Sequence, residues 1–169
     1  MNLPALSTEA REELIRRAWY IHDAAWFAAL RARLGVDVAN ALNHQAVHAV
    51  GLAEARRLAR RLGVTGVSDL DQLVDVIAVG KDVYVGDLME MQTTRLSERA
   101  YELCVRRCFV AEHIAKAGLS EDYECAVFDR VAAWHEALGM PLTAEPARAR
   151  CAVANEQECR RQLQVRGEQ

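Results

Sequence analysis

The amino-terminal part of the chain carries the apolar spacing of one long helix. Ser7 or Thr8 can cap its start, and Gly35 marks its end. Between these limits, small and large apolar residues recur at steps of three and four, which predicts an amphipathic helix. The predicted apolar stripe consists of Leu14, Ala18, Ile21, Ala25 and Ala28.

Two more helices are predicted in the first 80 residues. Asp37 can cap a helix that runs to Leu62, where helical apolar spacing ends at a glycine. Ser68 with Asp71 resembles a capping box and opens a short third helix, which we expect to end by Gly80. The first half is therefore predicted to be helical throughout.

The second half mixes short strands with short helices. Residues 88–94 and 99–107 alternate apolar and polar side chains on either side of a turn, which is typical of a β-hairpin. The other predicted elements are helices over 109–117 and 120–139 and strands over 142–151 and 159–166. We predict one α+β domain over 1–169, with a helical half (1–80) packed on a small antiparallel sheet in an α+β half (81–169). The fold should enclose an apolar pocket for a small-molecule ligand or substrate.

Composition narrows the classes of partner. The net charge is −3, which gives no electrostatic case for binding nucleic acid or an anionic membrane. The first residues lack the pattern of a signal peptide, so we expect a cytoplasmic protein. In that compartment, five cysteines indicate metal binding or reactivity before disulfides. The first helix is rich in Trp, Tyr and Phe, which is consistent with a homodimer.

The cysteines all lie after residue 100, so they belong to one half of the fold. If Cys151 and Cys159 face each other in a hairpin centred on Asn155, their thiolates can share one tetrahedral ion. Cys125, in the first turn of the predicted helix, would gain thiolate character from the helix dipole. Cys108 lies where the first hairpin passes into a helix and can also point inward. The alternative is that these are buried free cysteines, which is our interpretation of Cys104.

The stretch from Cys125 through Glu145 and Cys151 to Cys159 resembles the end of 4-vinyl reductase-type domains. Sensory domains of phenol-responsive bacterial activators share this end. The resemblance implies zinc bound by these three cysteines beside a small-molecule pocket. Those domains can use a glutamate three residues before the middle cysteine, where this chain has Arg148. We therefore predict Cys108 as the fourth ligand, with Glu145 as runner-up. An iron–sulfur cluster is the alternative to zinc.

The chain as a whole is similar to bacterial proteins related to L-2-amino-thiazoline-4-carboxylic acid hydrolase. The similarity lies in residues 21–27, 54–57, 107–112 and 123–128. It implies hydrolysis of a small cyclic amidine or amide, with a side chain that activates water. The candidates are His22, Asp23, Glu54 and Glu112. The alternative function is a non-catalytic small-molecule-binding or sensory module, with a structural zinc beside the pocket.

Overall fold

The computed structural model describes residues 4–145, 150–153 and 158–166. Over these residues it contains five α-helices, a short 3-10 helix at Gly86–Leu88 and four strands. The helices are α1 (Thr8–Leu34), α2 (Val36–Leu62), α3 (Leu70–Tyr84), α4 (Phe109–Lys116) and α5 (Val127–Ala137). The strands are β1 (Met89–Ser97), β2 (Ala100–Cys108), β3 (Leu142–Glu145) and β4 (Cys159–Val165). The predicted α+β class with a small antiparallel sheet is confirmed.

The strands form one antiparallel sheet in the order β1-β2-β4-β3. The predicted hairpin is confirmed, because β1 pairs with β2 from Met89 opposite Cys108 to Ser97 opposite Ala100. The predicted register between the last two strands is wrong. Leu142 pairs with Val165, so the ladder is three residues away from one that would put Cys151 opposite Cys159. The centre of the predicted hairpin, Asn155, lies outside the described residues.

Helix α1 begins and ends where the sequence indicates, but its predicted apolar stripe does not face the core. The Ser7 side chain accepts a hydrogen bond from the Ala10 amide, and Gly35 follows the last turn. Phe27 is the buried residue of this helix, whereas Leu14 and Ile21 are 55% and 61% exposed. The helix packs on the body through a different face, which carries Tyr20 and Phe27. These aromatic side chains bury more apolar surface than the alanines of the predicted stripe would.

Helices α2 and α3 differ from prediction at their ends. Helix α2 starts directly after Gly35, so Asp37 lies inside its first turn and does not cap it. Helix α3 is capped by Asp69, whose carboxylate accepts from the Gln72 amide, and it continues past Gly80 to Tyr84. A Cβ at Gly80 would lie 2.1 Å from the Trp134 ring. This glycine therefore serves close helix packing and does not end the helix.

The core lies between α2, α3, α5 and the sheet. Leu73, Leu163 and His135 are its largest fully buried side chains. Helix α2 approaches α5 closely at Gly51, where a Cβ would lie 2.9 Å from both the Ala133 Cβ and the Arg130 carbonyl oxygen. This close contact holds Glu54 of α2 within reach of Arg130 on α5. None of the helices among the described residues has the length and apolar character needed to cross a bilayer.

Candidate functional site

An apolar cavity of about 150 Å³ lies between α1, α2, α3, α5 and the inner face of the sheet. Its walls combine aliphatic side chains from α2, α3, α5 and the sheet with five aromatic residues. The aromatic residues are Trp19, Tyr20, Tyr84, Tyr123 and Trp134. Asp23, Lys81 and Arg130 are the charged residues at its edge among the described residues. An apolar space with few polar groups is the usual form of a small-molecule site.

The charged groups beside the cavity are organised around one ion pair. Arg130 donates two hydrogen bonds of 2.7 Å to the two carboxylate oxygens of Glu54. It donates a third, of 3.0 Å, to the hydroxyl of Tyr20, and the Trp134 indole N–H lies 3.3 Å from Glu54. Burial works to lower the pKa of Arg130, but the bonds to Glu54 and Tyr20 outweigh it, so the net shift is upward. The two charges of this pair thus offset each other at this edge of the cavity.

The structure does not bring the four predicted catalytic side chains together. Asp23 borders the cavity, and burial raises its pKa although Arg130 and His22 act to lower it. His22 is exposed on α1, where its ring lies 6.1 Å from that of Trp19. Glu54 is held by Arg130, and Glu112 is exposed on α4, outside the cavity wall. Asp23 is therefore the member of this set that is placed to meet a ligand.

Four of the five cysteines neighbour one another through Cys108, which lies within electrostatic range of the other three. Cys151 and Cys159 are close enough to contribute to the raised pKa of Cys108, and Cys125 is hydrogen-bonded to Cys151. Cys108, Cys151 and Cys159 are buried, Cys125 is half-buried, and none is in a disulfide. The next residues along the chain from Cys125, Ala126 and Val127, line the cavity. These four thiols are therefore neighbours, and metal binding by them stays a prediction.

The route by which these cysteines meet differs from the prediction. An isolated antiparallel bridge pairs Glu124 with Arg150, and this places Cys125 beside Cys151. Cys159 instead pairs with Val105 of β2, three residues before Cys108. The bridge thus brings Cys125 near Cys151, and the sheet brings Cys159 near Cys108. A hairpin that pairs Cys151 with Cys159 is not needed to gather these cysteines.

The position of Cys125 also corrects a prediction. Helix α5 begins at Val127, so Cys125 precedes it and is not in its first turn. The hydrogen bond with Cys151 and burial raise the pKa of Cys125, although the Val127 amide acts to lower it. Burial, reinforced by the neighbouring thiols, raises the pKa of Cys108 to about 11. Both groups are neutral thiols in this arrangement, and for Cys125 this is the opposite of the predicted thiolate character.

The donor chemistry of the cluster suits a soft metal, but the arrangement does not complete a site. Over the described part of the chain, no three His, Cys, Asp or Glu side chains are placed so that together they could hold an ion. Glu145, the predicted runner-up ligand, is exposed at the end of β3 opposite Gln162. Arg148 lies outside the described residues. Cys104 is buried on β2, 3.8 Å from a carboxylate oxygen of Glu158, and agrees with its interpretation as a core residue.

Sequence reasoning missed Arg130, Tyr20 and Trp134. Arg130 and Glu54 are 76 residues apart, and Arg130 and Tyr20 are 110 apart. No local spacing links such positions. The one available signal was Arg130 itself, a cation among apolar residues in the middle of a helix that is otherwise half-buried.

The chain belongs to a family described as a family of unknown function (DUF6125), whose model matches residues 6–136. The match includes Cys108 and Cys125 and ends before Cys151 and Cys159. No curated protein matches the chain. The chain is similar in structure to a trafficking protein particle complex subunit 3 from Naegleria fowleri, crystallised covalently bound to palmitic acid. The TM-score is 0.60, over 94% of this chain and 97% of that chain, at 12% identity, so the likeness concerns the fold alone.

Proposed function

We propose that this protein is a binding module for a small apolar molecule about the size of one aromatic ring. The observation that carries the proposal is the cavity, which is apolar, walled by aromatic rings and bordered by an ion pair that satisfies its own charges. An apolar cavity of about 150 Å³ can stay dry and accept a benzene-sized guest. The resemblance to the ends of phenol-responsive sensory domains supports the same class of ligand.

The palmitic acid of the trafficking subunit defines a competing ligand. A sixteen-carbon chain is much larger than a guest that fills about 150 Å³. No cysteine is among the described residues that line the cavity, so a thioester to a wall residue has no attachment point there. A ring-sized, non-covalently bound molecule therefore fits this chain better than a long acyl chain.

Filling the cavity is expected to abolish binding. Val131 lines the cavity, and Val131→Phe would occupy the space of the guest. Overfilling an apolar site costs ~1–3 kcal/mol, so affinity for the guest should fall by roughly tenfold or more. The measurement is calorimetric titration with phenol, toluene and indole, alongside hexadecanoate. The matched control is Val79→Phe on α3, because Val79 is 41% exposed and lies outside the cavity wall.

The proposal fails if no ring-sized probe saturates the wild-type protein, or if Val131→Phe binds as well as Val79→Phe. Binding of hexadecanoate alone would assign the site to acyl chains. The same probes, extended to cyclic amidines and amides, test the second candidate function.

That second candidate is hydrolysis of a small cyclic amidine or amide, which the similarity to the thiazoline hydrolase group implies. The observation that favours it is Asp23, a cavity-edge carboxyl whose pKa is raised by burial, the direction of shift that favours a general acid or base. Product formation that disappears in Asp23→Asn but survives in Glu112→Gln would favour the enzyme. Saturable binding without product would favour the module.

We also propose that Cys108, Cys125, Cys151 and Cys159 bind one zinc ion with a structural role. Their burial, mutual proximity and freedom from disulfides support the proposal. The arrangement described above lacks a complete coordination sphere, so no catalytic step is assigned to the metal. With four thiolate ligands, a zinc site is closed and stabilises the fold without offering a position to water.

The metal proposal predicts one zinc per chain in purified protein and its loss in Cys151→Ser. A lost structural ion also removes folding free energy, so the melting temperature should fall by more than ~10 °C. Elemental analysis and thermal unfolding check both effects, with Cys104→Ser as the buried control that keeps the metal. Strong visible absorption with iron would indicate a cluster. If purified protein contains no metal and Cys151→Ser melts at the wild-type temperature, both the zinc proposal and the iron–sulfur alternative are contradicted.

A further inference from the structure

We infer that the guest of the apolar cavity carries one anionic group, a carboxylate, and that the Lys81 ammonium binds it. This inference rests on the proposed function and adds the charge of the ligand to it. Lys81 lies in the last turn of α3 and forms part of the cavity wall. The residue is half-buried, as is usual where an apolar lysine stem covers a wall and its charged end stays near water.

Lys81 has no carboxylate at ion-pair distance in the part of the chain that the structure describes. The other charged residues of the cavity wall differ from it in this respect. Arg130 is ion-paired with Glu54. Burial raises the pKa of Asp23, while Arg130 and His22 act to lower it, so this carboxyl already has cations of its own chain near it. The Lys81 ammonium is therefore the charged group of the wall that is available to a ligand.

The surroundings of Lys81 carry more positive than negative charge. Tyr84 follows Lys81 by three residues on α3, which places the two side chains on one face of the helix. One carboxylate, that of Glu54, and two cations, Arg57 and Arg130, act on the Tyr84 hydroxyl. The Arg130 guanidinium also lies 6.0 Å from the centre of the Tyr84 ring. Together with Lys81, these cations favour an anion on the α3 side of the cavity.

The size of the cavity and its charges together define the class of ligand. A guest that fills about 150 Å³ has the size of one ring, so benzoate is the simplest ligand with both properties. Asp23 borders the cavity from α1, and a site organised around its carboxylate would instead select a cation such as benzylamine. The two residues thus predict opposite preferences between ligands of similar size.

Replacing the ammonium with an apolar end tests the inference. Calorimetric titration compares benzoate with nitrobenzene, which has nearly the same shape but no net charge, and with benzylamine. Lys81→Met keeps an unbranched stem and loses the charge. It should bind benzoate roughly tenfold more weakly than wild type does, because a charge-assisted hydrogen bond is lost, and its affinity for nitrobenzene should not change. Lys81→Arg, which keeps the positive charge, should retain most of the affinity for benzoate.

The matched control is Lys116→Met, because Lys116 is the other lysine of the chain and lies exposed on α4, outside the cavity wall. It should bind benzoate as wild type does. A cation also suits the last turn of a helix, so Lys81→Met is expected to lower the stability of α3 slightly. That effect does not distinguish a charged guest from a neutral one, and circular dichroism confirms that each variant is folded.

Nuclear magnetic resonance gives a second readout that needs no substitution of Lys81. Reductive methylation with isotope-labelled formaldehyde marks both lysines and keeps their charge. On titration with benzoate, the Lys81 signal should shift until the protein is saturated, while the Lys116 signal stays in place. Lys116→Met identifies the Lys116 signal by its absence. A Lys81 signal that does not move when benzoate saturates the protein would overturn the inference.

The binding results separate failure of this inference from failure of the proposed function. If nitrobenzene binds but benzoate does not, or if Lys81→Met binds benzoate as wild type does, the inference is overturned and the proposed function stands. Equal losses of benzoate and nitrobenzene in Lys81→Met would also overturn it, because they would show a packing role of the lysine stem. Preference for benzylamine would assign charge recognition to Asp23, with the same consequence. If none of the three probes saturates the wild-type protein, the proposed function fails together with the inference.

Discussion

Replacing Glu54 with leucine is expected to lower the free energy of unfolding by ~3–5 kcal/mol, because it leaves the Arg130 cation without its partner. The side chains of Glu54 and Arg130 are 12% and 19% exposed, so water cannot fully replace the lost carboxylate. The two parallel bonds of 2.7 Å also fix the guanidinium plane against Tyr20 and Trp134. Urea denaturation at neutral pH measures the loss.

Two controls separate this effect from a general loss of charge. Glu13→Leu removes a carboxylate that accepts from Arg17 at a similar 2.8 Å, but both side chains are about half exposed, at 56% and 48%. An exposed pair contributes ~0–1 kcal/mol, so this variant should stay close to wild type. The double variant Glu54→Leu/Arg130→Met should be more stable than Glu54→Leu alone, since it buries no unpaired charge. Equal losses for Glu54→Leu and Glu13→Leu would contradict the prediction.

The same measurement bears on the function of Glu54. A carboxylate that accepts two hydrogen bonds from Arg130 is held in a fixed orientation by the guanidinium and is not turned towards a substrate. If Glu54→Leu loses ligand binding only in proportion to its loss of fold, the residue supports the cavity wall. The ion pair then explains why this part of the sequence combines a glutamate with apolar neighbours inside a buried helix.

Local signals predicted the fold where a single segment determines the outcome. Ser7 and Gly35 delimit α1 because capping depends on residues within one turn, and the β1–β2 hairpin follows from alternation on both sides of a short turn. The errors occur where contacts with residues far away in the sequence determine the local structure. Gly80 does not end α3 because Trp134, 54 positions later, fills the space where a side chain would stand.

In the candidate site, too, local features were predicted and long-range contacts were not. Its cysteines were identified from residue type, since few other residues are as often buried or as suited to a soft metal. Their neighbours were not, because the bridge of Glu124 with Arg150 has no signature in local spacing. The exposed stripe of α1 shows the converse problem. Apolar periodicity predicts that a face is covered, but does not tell whether its own chain or another copy covers it.

A buried histidine should make the protein sensitive to mild acid. His135 is fully buried, its Nε2 lies 2.6 Å from the Tyr101 hydroxyl, and its Nδ1 lies 3.2 Å from the Met140 carbonyl oxygen. Burial raises the pKa of Tyr101, so its hydroxyl keeps its proton and donates to Nε2. The neutral ring, with its proton on Nδ1, satisfies both contacts. Protonation of Nε2 would place its N–H against the hydroxyl proton of Tyr101, so that two donors face each other.

The direction of the pH effect follows from the two states. Burial lowers the pKa of His135 from 6.5 to about 4 in the folded protein, despite the opposing bond to Met140. Between these values the unfolded chain binds a proton that the folded chain excludes, so stability is complete above pH 6.5 and is lost as the pH falls towards 4. At about 1.4 kcal/mol per pH unit, the loss over this range is about 3 kcal/mol.

Urea denaturation at a series of pH values from neutral to mildly acid measures this loss, and comparison with a variant isolates its source. His135→Leu is expected to be less stable than wild type at neutral pH, because it leaves the Tyr101 hydroxyl without an acceptor at a cost of ~1–3 kcal/mol. Its stability should nevertheless fall less steeply with acid than that of the wild type. His22→Gln, which removes an exposed histidine, should keep the wild-type slope. If His135→Leu and wild type lose stability in parallel below pH 6.5, another group is responsible, because a leucine at this position cannot take up a proton in either state.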